Sequence, residues 1–179
     1  MGGRQVTPDA TPTSIAPEQA STEVVWKRAP VTLTWLDPAD RADIDDIFAV
    51  CVVPIADDGR VVLAQLRRGL EVPGGKVDAT DASLEAAARR EAWEETRITL
   101  GRLEPIQLVR IDPHDAATSR YVLIYAGRVV SMPPFVQEHE SMGRLCVTRA
   151  DYINRFGFGS TQDRRRLMRE ATAAVGLAA

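Results

Sequence analysis

Three glutamates in the middle of the chain are spaced for chemistry on one side of a helix. Residues 83–97 around them are rich in Ala, Glu and Arg, which favours a helix. Glu91, Glu94 and Glu95 stand at i, i+3 and i+4, so their carboxylates project from one face. Such acids repel one another and oppose the helix dipole, whereas Mg²⁺, which prefers oxygen ligands, would turn the repulsion into binding. The alternative is a solvated acidic face, softened by an Arg90–Glu94 ion pair.

A glycine pair precedes this helix. Gly74 and Gly75 allow the backbone to turn tightly and to approach a ligand closely. A backbone carbonyl there would add a neutral metal ligand. A glycine pair alone marks only a turn, but a glycine pair followed at this distance by RExxEE on a helix is far more specific for a metal site.

The segment of residues 75–98 resembles the Nudix box, whose pattern is glycine, five residues, glutamate, seven residues and then REUxEExGU, where U is aliphatic. The matching residues are Gly75, Arg90, Glu91, Glu94, Glu95 and Ile98. The preceding run LEVPGGK is similar to the lead-in of MutT-type Nudix enzymes. The strand order on both sides is also similar to a Nudix domain, from about residue 44 to residue 156.

The sequence departs from the box in three ways. Asp81 stands where the first glutamate is expected, and eight residues rather than seven separate it from Arg90, which one extra residue in the loop would explain. Arg97 stands at the box glycine, and Ala92 at the first aliphatic position. An arginine at the glycine position would let the helix continue or would adopt the left-handed conformation. Because the position lies beyond the carboxylates, we expect metal binding to survive, and an Arg97→Gly change to leave activity within about tenfold and stability within about 1 kcal/mol.

The resemblance implies roles for these residues. Glu91, Glu94 and Glu95 would bind Mg²⁺, with Mn²⁺ as an alternative, together with the carbonyl of Gly74. Arg90 would orient a glutamate. The general base would be Glu91 or an acid of the loop VQEHESMG, where Glu138 and Glu140 are the candidates. A solvated acidic loop is the alternative for these two, and His139 is predicted to be an exposed loop histidine.

Basic residues flank the glycine pair. Arg67 and Arg68 end a predicted strand just before it, and Lys76 follows it. Guanidinium groups match phosphate oxygens, so these three residues are candidate substrate contacts. A pair of surface charges at the strand end is the alternative.

The elements that must position the site follow from the pattern of apolar residues. Alternation at residues 31–35 and apolar runs elsewhere predict strands at residues 31–36, 48–55, 61–66, 103–111, 121–130 and 145–147. Helices are predicted at residues 83–97, 148–156 and 162–174, with Asp81 or Ser83 capping the first. Trp93 lies off the acidic face and is predicted to pack in the core. By resemblance, the fold class is α/β: the Nudix fold, an α/β/α sandwich with a mixed sheet between helices.

Composition limits the other possibilities. The chain has 179 residues with a formal net charge of −3, which suits one domain and gives no broad basic surface for a nucleic acid polymer. Residues 1–23 have few large apolar groups and are predicted to be a disordered tail, leaving residues 24–179 as the Nudix hydrolase domain. No signal peptide or membrane span is evident, so a cytoplasmic location and no membrane partner are expected. The two cysteines are predicted to be reduced core thiols.

Three functions remain open. The first is Mg²⁺-dependent hydrolysis of a nucleoside triphosphate, including oxidised forms such as 8-oxo-dGTP, to a monophosphate and pyrophosphate. The second is a pyrophosphatase for ADP-ribose or another nucleoside diphosphate linked to a group X. The third is a nucleotide-sensing module without turnover, for which Arg97 is the support. In each case the partner is a small nucleotide, and the protein is a monomer or a homodimer.

Overall fold

The computed structural model describes residues 21–26, 29–43, 47–115, 118–157 and 159–177. The strands are β1 Ser21–Trp26, β2 Ala29–Leu36, β3 Ile47–Ile55, β4 Val61–Leu66, β5 Gly69–Glu71, β6 Gly74–Lys76, β7 Thr99–Pro113, β8 Arg120–Ser131 and β9 Gly143–Val147. The helices are α1 Leu84–Thr96, α2 Arg149–Arg155 and α3 Thr161–Ala174, with a short 3-10 helix at Pro38–Asp43. All of the predicted strands and helices are present, within a few residues of their predicted ends.

The strands form one mixed sheet in the order β1-β2-β7-β8-β3-β4-β5, while β6 pairs with β3 and β9 with β4. β3 and β8 run parallel, and the other neighbouring strands run antiparallel. A turn at residues 57–59 joins β3 to β4, where Ile55 faces Val61.

Apolar side chains on both faces of the central strands explain the layered architecture. Successive side chains of a strand point to opposite faces. Val52 packs in the cluster that contains the alanines of α1, and Val53 packs in the cluster that contains Leu167 and Met168 of α3. Because helices cover both faces of the sheet at β3, both sets of side chains on this strand are apolar, and its sequence is a continuous apolar run. The predicted α/β class, with a mixed sheet between helices, is confirmed.

The helices begin at side-chain caps. Ser83 is extended and its hydroxyl accepts a hydrogen bond from the Ala86 amide at 3.0 Å, so it, and not Asp81, caps α1. Ser160 and Asp163 form a reciprocal capping box at the start of α3. Within the part of the chain that the structure describes, no helix has the length and apolar character needed to cross a membrane.

The first two strands extend the sheet on the side away from β4. Val31, Leu33 and Trp35 of β2 are buried against Val109 and Ile111 of β7. β1 begins at Ser21, three residues before the predicted start of order, and pairs with β2 along its whole length. The rest of the predicted tail, residues 1–20, lies outside the described residues, so its disorder stays a prediction.

The two cysteines, Cys51 and Cys146, are free and half-buried. Cys51 lies beneath the glycine pair, and burial raises the pKa of its thiol to about 12, with a further contribution from the nearby Glu95. A neutral, packed thiol agrees with the predicted reduced state.

Candidate active site

Helix α1 carries the acidic residues because its other face is made of alanines. Ala87, Ala88 and Ala92 are completely buried against the sheet, and side chains this small let the helix approach it closely. The same packing brings the C-terminal half of α1 against β6, so that the acidic face meets the glycine pair.

The two glycines are required by close approach. β6 pairs with β3, placing Gly74 opposite Cys51. A Cβ atom on Gly74 would lie 2.5 Å from the Val50 carbonyl oxygen, and one on Gly75 would lie 2.5 Å from Oε1 of Glu91. The predicted turn at the glycine pair is thus a short strand, and the absence of side chains leaves room for the carboxylates of α1.

Arg90 lies at the centre of an ion-pair network. Its Nε and Nη2 donate to the two carboxylate oxygens of Asp81 at 2.9 Å each, and its Nη1 donates to Glu91 at 2.7 Å and to Glu94 at 3.2 Å. Asp81 therefore reaches Arg90 despite the extra loop residue, and the hydrogen bonds from Arg90 lower the pKa of Asp81 to about 2. The predicted orienting role of Arg90 has a geometric basis, since it holds two of the acids at once.

Glu95 is the most deeply placed of the three acids. Glu95 is 3% exposed, and burial, together with the neighbouring Glu91, raises the pKa of its carboxyl to about 7. The hydrogen bond that the Gly74 N–H donates to it at 3.0 Å acts in the opposite direction but does not cancel this rise. Burial also raises the pKa of Glu91. A neutral N–H does not cancel the charge of a buried carboxylate, so the site favours either a proton or a cation at these groups.

The donor set fits a hard divalent cation. Glu91, Glu94 and Glu95 offer carboxylate oxygens from one helix face, which is the ligand type that Mg²⁺ and Mn²⁺ prefer. Within the described residues, no three acidic, His or Cys side chains already converge as a complete ligand set. Two of the acids are engaged by Arg90 and the third by Gly74, so a cation would bind in competition with these hydrogen bonds.

A cleft of about 580 Å³ has no residue of α1 in its lining but includes two charged residues that lie near Glu95. It is lined by Leu66, Arg67, Arg68, Gln137, His139, Glu140 and Met142. Arg68 donates to Glu71 at 2.9 Å and lies 3.6 Å from Glu140. The positive charge of Arg68 lowers the pKa of Glu95, and the negative charge of Glu140 raises it. The structure thus brings Arg67 and Arg68 to one concave surface, with Arg68 close enough to Glu95 to lower its pKa. Lys76 is not part of this lining, and its ammonium group lies over the Phe48 ring at 5.3 Å.

The sequence matches the family model for the NUDIX domain over residues 46–161. The chain belongs to the Nudix family. The predicted family is confirmed, and with it the assignment as a Nudix hydrolase at the level of the family. Nudix proteins generally use divalent metal ions.

Known structures of Nudix proteins are similar in fold. The Bacillus subtilis pyrophosphohydrolase BsRppH is 19% identical, with 82% of this chain and 96% of that chain covered at a TM-score of 0.61. The NUDIX domain of Shewanella oneidensis NrtR, solved with ADP ribose, is 20% identical, covering 77% and 97% at a TM-score of 0.56. A MutT NUDIX hydrolase from Burkholderia pseudomallei is 22% identical, covering 69% and 96% at a TM-score of 0.52. No curated protein sequence matches.

Arg97, at the glycine position of the Nudix box, ends α1 in the left-handed conformation with φ 54° and ψ 39°. Of the two alternatives that the sequence allowed, the helix does not continue. This conformation costs a residue other than glycine roughly 1 to 2 kcal/mol. The side chain, 6% exposed, donates to the Val136 carbonyl oxygen at 3.1 Å and to Glu138 at 2.6 Å. The sequence identifies this position as the box glycine near the end of the helix, but it does not predict the contacts of the Arg97 side chain with Val136 and Glu138.

The structure also places three further side chains of the sequence-based interpretation. Glu138, a predicted catalytic acid, is paired with Arg97 and does not line the cleft, whereas Glu140 does. His139 is exposed, as predicted, and it also lines the cleft. Trp93 is 42% exposed, so the prediction that it packs in the core was wrong; the Arg97 guanidinium lies over its ring at 5.5 Å.

Proposed function

We propose that this Nudix protein hydrolyses a phosphoanhydride bond of a nucleoside triphosphate, including oxidised purine forms, and releases a monophosphate and pyrophosphate. The observation that carries the proposal is the position of Arg67 and Arg68 in one cleft, with Arg68 near Glu95 on the acidic face of α1. Anion-binding and cation-binding groups then act on the same polyphosphate. Mg²⁺, or Mn²⁺ in its place, is the proposed metal.

The proposed ligands are the carboxylates of Glu91, Glu94 and Glu95 with the Gly74 carbonyl. When bound, a divalent cation neutralises phosphate oxygens and acidifies a water molecule. Arg90 holds Glu91 and Glu94 in place through its hydrogen bonds, and Asp81 fixes Arg90 in turn. Arg67 and Arg68 bind non-bridging phosphate oxygens and so fix the phosphate chain against the carboxylates.

The general base is proposed among Glu91, Glu138 and Glu140. Glu140 lies in the cleft, where it contacts Arg68 and is close enough to Glu95 to raise the pKa of that carboxyl. Glu138 has an oxygen engaged by Arg97, 2.6 Å away, so it would have to leave that ion pair to accept a proton from water. Position therefore supports Glu140 over Glu138 as the base supplied by this loop, with Glu91 as the alternative on α1.

The arginine pair favours a triphosphate over a diphosphodiester. A nucleoside triphosphate carries about two more negative charges at neutral pH than ADP-ribose does, because its terminal phosphate ionises twice. Two guanidinium groups at one cleft supply positive charge for the phosphate chain, and the contacts of Arg68 with Glu71 and Glu140 hold its side chain at the cleft before substrate arrives.

An ADP-ribose-type pyrophosphatase is the second candidate. Its support is the pair of N-terminal strands, in which β2 buries Val31, Leu33 and Trp35 against β7 and β1 forms the edge of the sheet. The likeness to a NUDIX domain solved with ADP ribose adds to this support.

A product analysis decides between these candidates. The protein is incubated in Mg²⁺ with dGTP, 8-oxo-dGTP and ADP-ribose in parallel, and the products are separated by anion-exchange chromatography. A monophosphate with pyrophosphate from either triphosphate supports the proposal, and AMP with ribose 5-phosphate from ADP-ribose alone supports the second candidate. Tight nucleotide binding without any product would instead indicate the sensing module.

A further inference from the structure

The residue at the end of α1 has a side chain whose contacts go beyond ending the helix. Arg97 occupies a left-handed position that glycine adopts freely, yet its side chain is 6% exposed and donates from both Nε and Nη2. A buried guanidinium with two oxygen acceptors is a fixed link between the elements that carry them. Here it links the end of α1 to Val136 and Glu138, about 40 residues further along the chain.

The linked segment is one wall of the cleft. Gln137 lies between the two residues that Arg97 binds, and His139 and Glu140 follow directly. At its far end the wall is joined to β4, because the Met142 amide donates to the Gln65 carbonyl oxygen at 2.8 Å.

A second arginine strengthens the near end. Arg144 of β9 donates to the Thr96 carbonyl oxygen at 2.9 Å and to the Pro133 carbonyl oxygen at 2.5 Å. It joins the last turn of α1 to the start of the same loop. Arg144 contacts the loop only at its start, whereas Arg97 contacts Val136 and Glu138, the two neighbours of Gln137 in the cleft wall.

We propose that Arg97 is a positioning residue for the substrate cleft: its guanidinium clamps Val136 and Glu138 to the end of α1 and thereby holds Gln137, His139 and Glu140 opposite Arg67 and Arg68. The kinetic part of this inference rests on the proposed function, whereas the clamp itself does not. Arg97 acts through the wall and leaves the metal ligands on α1 unchanged, so its loss weakens substrate binding more than metal binding.

Arg97→Gly is the direct test, because glycine accepts the left-handed backbone and removes the clamp together with the contact to the exposed Trp93 ring. Backbone hydrogen exchange of residues 134–142, measured without nucleotide, is expected to be faster by about tenfold, as for a segment that opens locally. For whichever of dGTP, 8-oxo-dGTP and ADP-ribose the wild type hydrolyses, KM is expected to rise about fivefold to tenfold, with kcat reduced less than KM is raised. The Mg²⁺ concentration at half-maximal activity stays the same.

Two further variants keep the test sharp. Glu138→Gln, at a side chain that is 60% exposed and safe for folding, is expected to give the same changes at smaller size, since the bond to Val136 remains. Arg102→Gly removes an arginine that is 86% exposed and is the matched control, with no expected effect on exchange or KM.

Unchanged exchange at residues 134–142 in Arg97→Gly overturns the clamp, whatever the enzyme's activity. Faster exchange with unchanged KM, or a higher kcat on release of Glu138, overturns the positioning role. A wild type that hydrolyses none of dGTP, 8-oxo-dGTP and ADP-ribose would contradict the proposed function alone, and the exchange result would still decide whether the clamp exists.

Discussion

Gly75 lies so close to Glu91 that a Cβ atom on the glycine would come within 2.5 Å of the carboxylate oxygen Oε1. The atom in the way is the end of a flexible side chain, so Gly75→Ala is expected to displace Glu91 and leave the fold intact. We predict a fall in kcat of at least about tenfold, because moving a metal-binding or catalytic carboxylate weakens transition-state stabilisation. Turnover and melting temperature measured on the same preparation check this.

Two other glycines are controls for this substitution. A Cβ on Gly101 would meet the Val130 side chain at 3.4 Å and the Arg128 carbonyl oxygen at 3.7 Å, both ordinary contacts, so Gly101→Ala should leave turnover unchanged. A Cβ on Gly74 would meet the Val50 backbone at 2.5 Å, so Gly74→Ala should lower the melting temperature as well as activity. Full activity in Gly75→Ala would show that Glu91 is not a functional carboxylate.

The substitution Glu95→Gln separates catalysis from stability. Loss of one charge at a metal site is expected to lower turnover at least about a hundredfold. The amide oxygen of glutamine still accepts the hydrogen bond from the Gly74 N–H, and the repulsion by Glu91 is removed, so the melting temperature should not fall. Glu85→Gln on the exposed first turn of α1 is the matched control and should keep full activity. An active Glu95→Gln enzyme would contradict the metal assignment.

The pH dependence of stability follows from the raised pKa of Glu95. The pKa is about 7 in the folded protein against an ordinary value of 4.5, so between these pH values the folded state binds more protons than the unfolded state. Metal-free stability should therefore be highest with Glu95 protonated and should decline as pH rises from about 4.5 through 7. Since Mg²⁺ competes with that proton, it should raise the melting temperature by about 2 to 5 °C more at pH 8 than at pH 6.

Thermal unfolding in EDTA and in Mg²⁺ at both pH values measures the effect. Glu95→Gln should flatten the metal-free decline and remove most of the Mg²⁺ dependence. A wild type that gains equally from Mg²⁺ at pH 6 and pH 8 would show that Glu95 does not bind the metal.

The sequence predicted the elements because local patterns determine them. The apolar run in residues 48–55 is set by burial on both faces, which Val52 and Val53 show directly. The whole of β1 was missed because polar residues such as Ser21, Thr22 and Glu23 pair through their backbones with β2, and a backbone ladder leaves little trace in the side chains.

The candidate site likewise has one part that local spacing in the sequence predicts and another part that it does not. The spacing of Glu91, Glu94 and Glu95 predicts their common face, since a helix has a fixed period. The contacts of Arg97 with Val136 and Glu138 join positions about 40 residues apart, and no local period relates them. Trp93 was misassigned because helical spacing gives a direction but not what covers it, and an arginine rather than the core lies against its ring.

Arg68 tests whether the cleft binds phosphate. It is half exposed, donates to Glu71 at 2.9 Å and lies 3.6 Å from Glu140, so its charge is held at the cleft. Arg68→Ala is expected to raise KM for a triphosphate by about tenfold or more, and at least as much as it lowers kcat, because loss of a charged hydrogen bond to the ligand costs about 1.5 to 3 kcal/mol. Arg60→Ala, at the exposed beginning of β4, is the control and should leave KM unchanged, since Arg60 pairs with Asp58 in solvent. The change in KM should shrink at high salt, as expected for an exposed charge contact. An unchanged KM in Arg68→Ala would show that the guanidinium serves only to neutralise Glu71 and Glu140. The proposal of a triphosphate substrate would then lose its main support.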